Sequence, residues 1–226
     1  TTDEDRVVIK PNVYSWRNNT LSHMHTVALA NDSHLMKNSE WGAVAYLTQS
    51  RYGKYGNSSY SGANKEVYKN SNNTYKTGCS GGSPTATSST TCYTYSSSTS
   101  GTGASSTGTV YGVYDMNGGT REYTMGNYNG TIGSSGFSSL PNSKYYDRYT
   151  STTVSSACSG GVCYGHALSE TSGWYNDGTD TLSSSYPWYT RGGYNADSTS
   201  TSGIFRMYTR NGSANVSNGF RFVRGT

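Results

Sequence analysis

Charge is scarce in this chain: Asp, Glu, Lys and Arg supply 13% of 226 residues, and the formal net charge is only +4. So weak an excess excludes the broad basic footprint of a nucleic-acid-binding protein. Apolar side chains are scarce too, at 32%. No run approaches the roughly 18 apolar residues of a membrane span, and no signal peptide is visible. The chain begins at Thr1 without Met, as a processed or excised piece would. Only 4 Pro and 4 Phe occur, against 28 Gly and abundant Ser and Thr, a balance that predicts tight turns and loops and excludes an α-rich bundle.

Tyrosine fills the gap. There are 22 Tyr beside 4 Trp, and Tyr packs an apolar ring while keeping a hydroxyl for water or a ligand. A core short of aliphatic residues must be assembled from such rings, and neither half of the chain has enough apolar residues to build one alone. The whole chain, 1–226, is therefore expected to form a single domain.

The cysteines form two close pairs, Cys79 with Cys92 and Cys158 with Cys163. An even count in a polar, turn-rich chain predicts disulfides and an oxidising, extracellular or surface location. Four cysteines allow three connectivities, of which local pairing is the expectation. The short Cys158 to Cys163 spacing can alternatively clamp a metal, but no His stands at finger spacing.

Arg6-Val7-Val8-Ile9-Lys10 reads as a strand ended by Pro11. After a polar link, with His23-Met24-His25 read as surface, the spacing predicts a helix from Asn38 to about Gln49. Asn38 or Ser39 caps it, Glu40 lies in its first turn, and Trp41, Val44, Ala45 and Thr48 form its buried face. Residues 80–109, mostly Gly, Ser and Thr, predict a surface excursion pinned by the first disulfide. Val110 to Gly119 reads as an extended segment closed by a glycine turn, with Arg121-Glu122-Tyr123-Thr124-Met125 as its neighbouring strand. Glu122 there is expected to be a buried structural carboxylate.

The basic excess sits in the tail. From Tyr189 onward there are five Arg against Asp197 alone, while the preceding residues balance. Arg191 and Arg221 are expected to be structural, through their planar forks. Ile204 to Arg210 alternates, setting Phe205 and Met207 against Arg206, Tyr208 and Arg210. Phe220 to Arg224 alternates too, with Phe220 and Phe222 inward and pairing to an early strand.

Two constellations can carry chemistry. His166 and Glu170 would meet at helical spacing, although a satisfied structural histidine is the expectation. Asn176-Asp177-Gly178-Thr179-Asp180 places carboxylates around a glycine turn, where calcium is possible, although the EF-hand terminal Glu is missing and an Asx-rich turn is the ordinary explanation.

Gly112-Val113-Tyr114-Asp115-Met116-Asn117-Gly118-Gly119-Thr120-Arg121-Glu122-Tyr123 resembles the G-L-Y-D-M-x-G-N-V-W-E-W block of sulfatase-modifying-factor proteins, the formylglycine-generating-enzyme type of the C-type lectin fold. Arg191-Gly192-Gly193 is similar to their R-G-G-S-W, and Gly219-Phe220-Arg221 to their closing G-F-R. The resemblance covers about Asn38 to Arg224. It implies an α+β C-type lectin fold of short antiparallel strands, one or two helices and much irregular loop, in which calcium sites are common. Arg121 and Tyr123 stand where the family usually carries Trp, and Tyr194-Asn195 replaces Ser-Trp. The family's enzymes bind copper through a cysteine pair near the C-terminus, and this chain has no Cys after Cys163. Enzymatic function therefore does not carry over.

The chain is most similar to a non-enzymatic branch, the variable proteins of diversity-generating retroelements. That resemblance implies a fixed frame around a variable segment at about 188–218, and a ligand-binding, receptor-binding or adhesin domain on a cell surface or phage particle. The side chains expected to meet a protein or glycan ligand are Trp174, Tyr175, Trp188, Tyr189, Tyr194, Asn195, Asp197, Ser198, Thr199, Arg206, Tyr208, Arg210 and Asn211. Tyr supplies rigid amphipathic area and Ser and Asn adaptable polar contacts. No cofactor is expected beyond the possible calcium. The alternatives are a formylglycine-generating-type oxidoreductase with copper moved to Cys158 and Cys163, and a structural pilus or fibre subunit.

Overall fold

The computed structural model describes residues 10–85, 92–150, 163–198 and 202–224. The described residues form a mixed α+β structure with few helices. The expected first strand falls outside them except for Lys10.

Helix α2, Asn38–Gln49, has the predicted bounds and buries Trp41, Ala45 and Thr48. Its start differs from expectation. Lys37 is the N-cap, and Glu40 accepts from the Lys37 N–H at 2.7 Å. Asp147 accepts from the Ser39 N–H, also at 2.7 Å, so two carboxylates face the positive end of the helix. Asn38 turns inward and accepts from the Thr124 hydroxyl at 2.7 Å.

The polar link holds a second helix, α1, Leu21–Ala30, capped by Thr20. Leu21, Met24 and Ala28 are its buried aliphatic face. His25, read as surface, is buried edge-on to Phe137 and Tyr145. Loss of hydration holds its pKa below the ordinary value, with His34 adding to the effect.

Strand β2, Arg121–Tyr128, is the axis of the larger sheet. One side of it pairs antiparallel with β4, Trp188–Arg191, which pairs in turn with β5, Met207–Arg210. Its other side pairs in parallel with β6, Asn218–Phe220, at one end and β3, Asp147–Tyr149, at the other. A two-stranded sheet joins β1, His34–Leu35, to β7, Phe222–Val223.

Residues 110–119 do not form the expected partner of β2. They make one bridge, Gly118 to Asn70, and positive φ at Asp115, Gly118 and Gly119 breaks any extended run. Both edges of β2 at Arg121–Tyr123 are instead taken by tail strands.

The excursion is also less superficial than its composition suggests. Its described part contains the short helix α3, Ser98–Thr102, and buries Gly101, Ala104, Ser105 and Ser106. Ala104 packs with Tyr60, Tyr68 and Tyr114. A Cβ on Gly103 would stand 2.2 Å from the Tyr68 ring, so small residues let tyrosines from outside the segment cover it. The Cys79–Cys92 disulfide ties its base as expected. Cys163 is disulfide-bonded, and Cys158 lies outside the described residues.

In the tail, Phe205 and Met207 are buried as predicted, but Ile204 to Arg206 is a turn and the strand starts at Met207. Phe220 is partly buried, whereas Phe222 is exposed on the small sheet. No described helix is long and apolar enough to cross a membrane.

Candidate functional site

The tail sorts its side chains into a frame and a face. Glu122 stands opposite Arg191 on β4 and beside Gly219 on β6. Arg221 holds Glu122 through both ends of its fork, Nε to Oε2 at 2.5 Å and Nη2 to Oε1 at 2.7 Å, and also donates to the Tyr114 and Asp115 carbonyls. Burial raises the Glu122 pKa and the Arg221 charge opposes that rise; pairing keeps Arg221 above its own ordinary value.

Arg191 is fully buried and donates to the Ala167 carbonyl at 2.7 Å. Burial brings its pKa down to about 10, which leaves it charged near neutrality. Gly192 follows with φ +82°, and a Cβ there would meet the Met116 carbonyl at 2.7 Å and the Trp41 ring at 2.9 Å. Its own carbonyl accepts from the Gly118 N–H at 2.8 Å. The structural roles expected for Glu122, Arg191 and Arg221 are all met.

The face lies on the opposite side of the same strands. Alternation puts Arg121 of β2, Thr190 of β4, and Tyr208 and Arg210 of β5 on one side of the sheet. The Arg121 guanidinium lies between two tyrosines, 4.3 Å from the Tyr194 ring centre and 4.4 Å from that of Tyr208. Arg206 and Arg210 lie over the same Tyr208 ring at 4.9 and 4.4 Å. Two carboxylates balance this group. Asp197 accepts from Arg121 Nη2 at 2.7 Å, and Asp180 lies 3.6 Å from Arg206 Nη2. Lys69, almost wholly buried, donates to the Asp197 carbonyl, and its pKa is lowered by burial against the pull of the Asp197 charge.

The predicted contact residues divide accordingly. Tyr194, Asp197, Tyr208, Arg210 and Asn211 are partly exposed, and Ser198 is exposed. Arg206 joins the group but is mostly buried. Asn195 is buried as well; its N–H donates to the Gly119 carbonyl at 2.9 Å, and its Oδ1 has no partner among the described residues. Thr199 lies outside the described residues.

Trp188 and Tyr189 correct the expectation, since both are core residues. Trp188 is 0% exposed, packs with Leu21, Tyr123 and Met125, and donates from Nε1 to the Ile132 carbonyl at 3.0 Å. Tyr189 is 2% exposed and meets Tyr149 edge-on. Strand β4 runs between β2 and β5 with both faces covered, so alternation on it does not separate inside from outside. Trp174, at 40% exposure, and Tyr175 both contact Phe205, the residue before Arg206. They form a flank of the site.

The other constellations resolve into structural parts. His166 Nδ1 lies 2.8 Å from the Tyr149 hydroxyl, and burial lowers its pKa. Glu170 accepts from the Gly165, Ala167 and Leu168 N–H groups and the Tyr46 hydroxyl instead of meeting His166. In the 176–180 turn, Asp177 points inward and accepts from the Phe205 N–H at 2.9 Å, while Asp180 faces Arg206. A Cβ on Gly178 would fall 1.7 Å from Arg206 Nη1, so the Arg206 guanidinium packs directly against this turn. Among the described residues, no group of three or more His, Cys, Asp or Glu side chains converges as a metal site would.

Sequence reasoning missed Arg121 and Asp180 as members of the face. Arg121 carried a usable signal, because a basic residue stood where the resembling block has Trp. A scan of protein-family models finds no match to this chain, and neither does a search of curated proteins.

Proposed function

We propose that this chain is a non-enzymatic ligand-binding domain of the C-type lectin type, and that Tyr194, Ser198, Tyr208, Arg210 and Asn211 present its ligand-contacting surface. The observation that carries this reading is the partition of the tail. Frame residues Arg191, Gly192 and Gly219 are buried and Arg221 is tied to Glu122, while Tyr194, Ser198, Tyr208, Arg210 and Asn211 between them reach solvent. Three separated sequence blocks also meet at one point, with Gly118 on Gly192, Glu122 beside Arg191 and Gly219, and Arg221 on Glu122. That convergence supports the resemblance to the variable proteins of diversity-generating retroelements, in which a closed frame tolerates exchange of the residues it carries. The Cys79–Cys92 disulfide favours display outside the cell or on a phage particle. The oxidoreductase alternative needs free thiolates, and no cysteine among the described residues is free.

The test exchanges Tyr194, Tyr208 and Asn211 together for Ala and probes immobilised glycans and surface proteins. The expected result is that the wild-type chain binds a member of the panel while the triple variant melts at the same temperature and does not. A triple variant that unfolds would make these side chains structural and overturn the reading. For the genetic origin, a neighbouring reverse transcriptase gene and a near-identical repeat differing at adenines are expected.

A further inference from the structure

We infer that the face takes an acidic protein ligand, with a carboxylate seated on Arg210 beside Tyr208. This rests on the reading of the tail as a binding surface and specifies what that surface binds. A ring has two faces, and three guanidiniums lie over Tyr208, so at least two share one face. Like charges held that close repel unless carboxylates sit between them. Two of the three are compensated, Arg121 by Asp197 and Arg206 by Asp180, the latter at 3.6 Å and partly exposed. Arg210 has no carboxylate within ion-pair distance among the described residues.

Exposure points the same way. Of the three, Arg210 is partly exposed, while Arg121 and Arg206 are buried. A partly exposed guanidinium held on a ring is preorganised for a planar, bidentate acceptor, which is the geometry of a carboxylate. The surroundings favour a protein as its carrier. The ring faces that a sugar would stack on are covered by guanidiniums at Tyr208 and, on one side, at Tyr194. Tyr, Arg and the exposed Trp174 alongside are the side chains enriched at the energetic centres of protein interfaces.

The test measures fluorescence anisotropy of labelled octaglutamate with the full chain, alongside octagalacturonate, which sets eight carboxylates on a sugar backbone, and octalysine. Octaglutamate is expected to bind with an affinity that falls as salt rises, R210Q to weaken it about tenfold, and R210K to restore part of the loss. Octalysine is expected not to bind. R210Q is the first variant because Arg210 is half-buried; its melting temperature is read in parallel, and Y208F provides a second variant that keeps the ring. Octaglutamate that fails to bind, or binds R210Q as well as wild type, overturns the inference. Octagalacturonate bound more tightly than octaglutamate, with the same R210Q loss, overturns the assignment to a protein. A panel ligand lost in the triple variant but indifferent to salt and to R210Q leaves the binding surface standing and removes its acidic specificity.

Discussion

Four arginines of the tail, together with Arg121 of β2, live in two kinds of environment. Arg221 and Arg191 are tied to the frame: Arg221 spends its fork on Glu122 and two backbone carbonyls, and Arg191 its two Nη groups on carbonyls of the 166–167 turn. Arg206 and Arg210, with Arg121 from β2, share the ring of Tyr208, and Arg210 among them is partly exposed. A buried guanidinium bonded to a carboxylate or to backbone carbonyls holds strands together and is closed to a partner. A partly exposed one stacked on a ring adds less to folding and leaves its exposed edge for something outside the fold.

Removing Arg221 tests that division most severely. R221A leaves Glu122 buried without its counter-charge, and the expected loss is about 3–5 kcal/mol, read from urea unfolding. If Arg221 belonged to the display set, the loss would stay under about 1 kcal/mol. R191M sharpens the frame side. Arg191 is charged and buried without a carboxylate partner in hydrogen-bond contact, so Met recovers some desolvation energy while the Ala167 carbonyl loses its donor. The net loss is expected at about 1–3 kcal/mol, smaller than for R221A.

Asp177 stands at the border, between the core residue Phe205 and the face residue Arg206. Burial pushes its carboxyl up to about 7 from the ordinary 3.8. The folded chain therefore binds this proton more tightly than the unfolded chain. Its contribution to stability is full below the ordinary carboxylate range and is lost as pH rises through about 7. Glu66, raised to about 9, acts in the same direction, whereas Lys54, lowered to about 6, opposes both as pH rises between about 6 and its ordinary 10.5. The difference between D177N and wild type isolates Asp177. Relative to wild type, the variant is expected to gain stability from pH 5 to pH 8, with the Asn oxygen still accepting from the Phe205 N–H. A difference flat with pH would place the charge of Asp177 in solvent and break the border assignment.

Much of the frame was legible in the sequence. The α2 spacing, the burial of Phe205 and Met207 and the structural roles of Glu122, Arg191 and Arg221 all follow from local pattern and from what a buried charge needs. Strand β4 was not legible, because a strand covered on both sides hides its alternation and makes Trp188 and Tyr189 look like display residues. Helix α1 was missed because His23, His25 and Thr26 dilute its apolar stripe, although Leu21, Met24 and Ala28 carry the helical spacing. The packed half of the excursion was invisible because its apolar cover comes from Tyr60, Tyr68 and Tyr114, all outside the low-complexity run. Arg121 was placed by composition in a strand and by topology in the site, since only the pairing of β2 with β4, and of β4 with β5, brings it under Tyr208.

The smallest expected change in folding is the most telling for the face. R210Q removes a guanidinium that is half-buried, has no acidic partner among the described residues and leaves one donor unmatched. Loss of its stacking on Tyr208 costs about 0.5–1 kcal/mol, and relief of repulsion from the other two guanidiniums offsets part of that. The net change in stability is expected within about 0.5 kcal/mol, the range of an ordinary surface substitution, as read from the melting temperature. A loss above about 2 kcal/mol would mean that Arg210 closes the fold as Arg221 does. Near-neutral folding would instead mean that the tail tolerates exchange at this position, which is the property a frame must have if the residues it carries are free to be selected for a ligand.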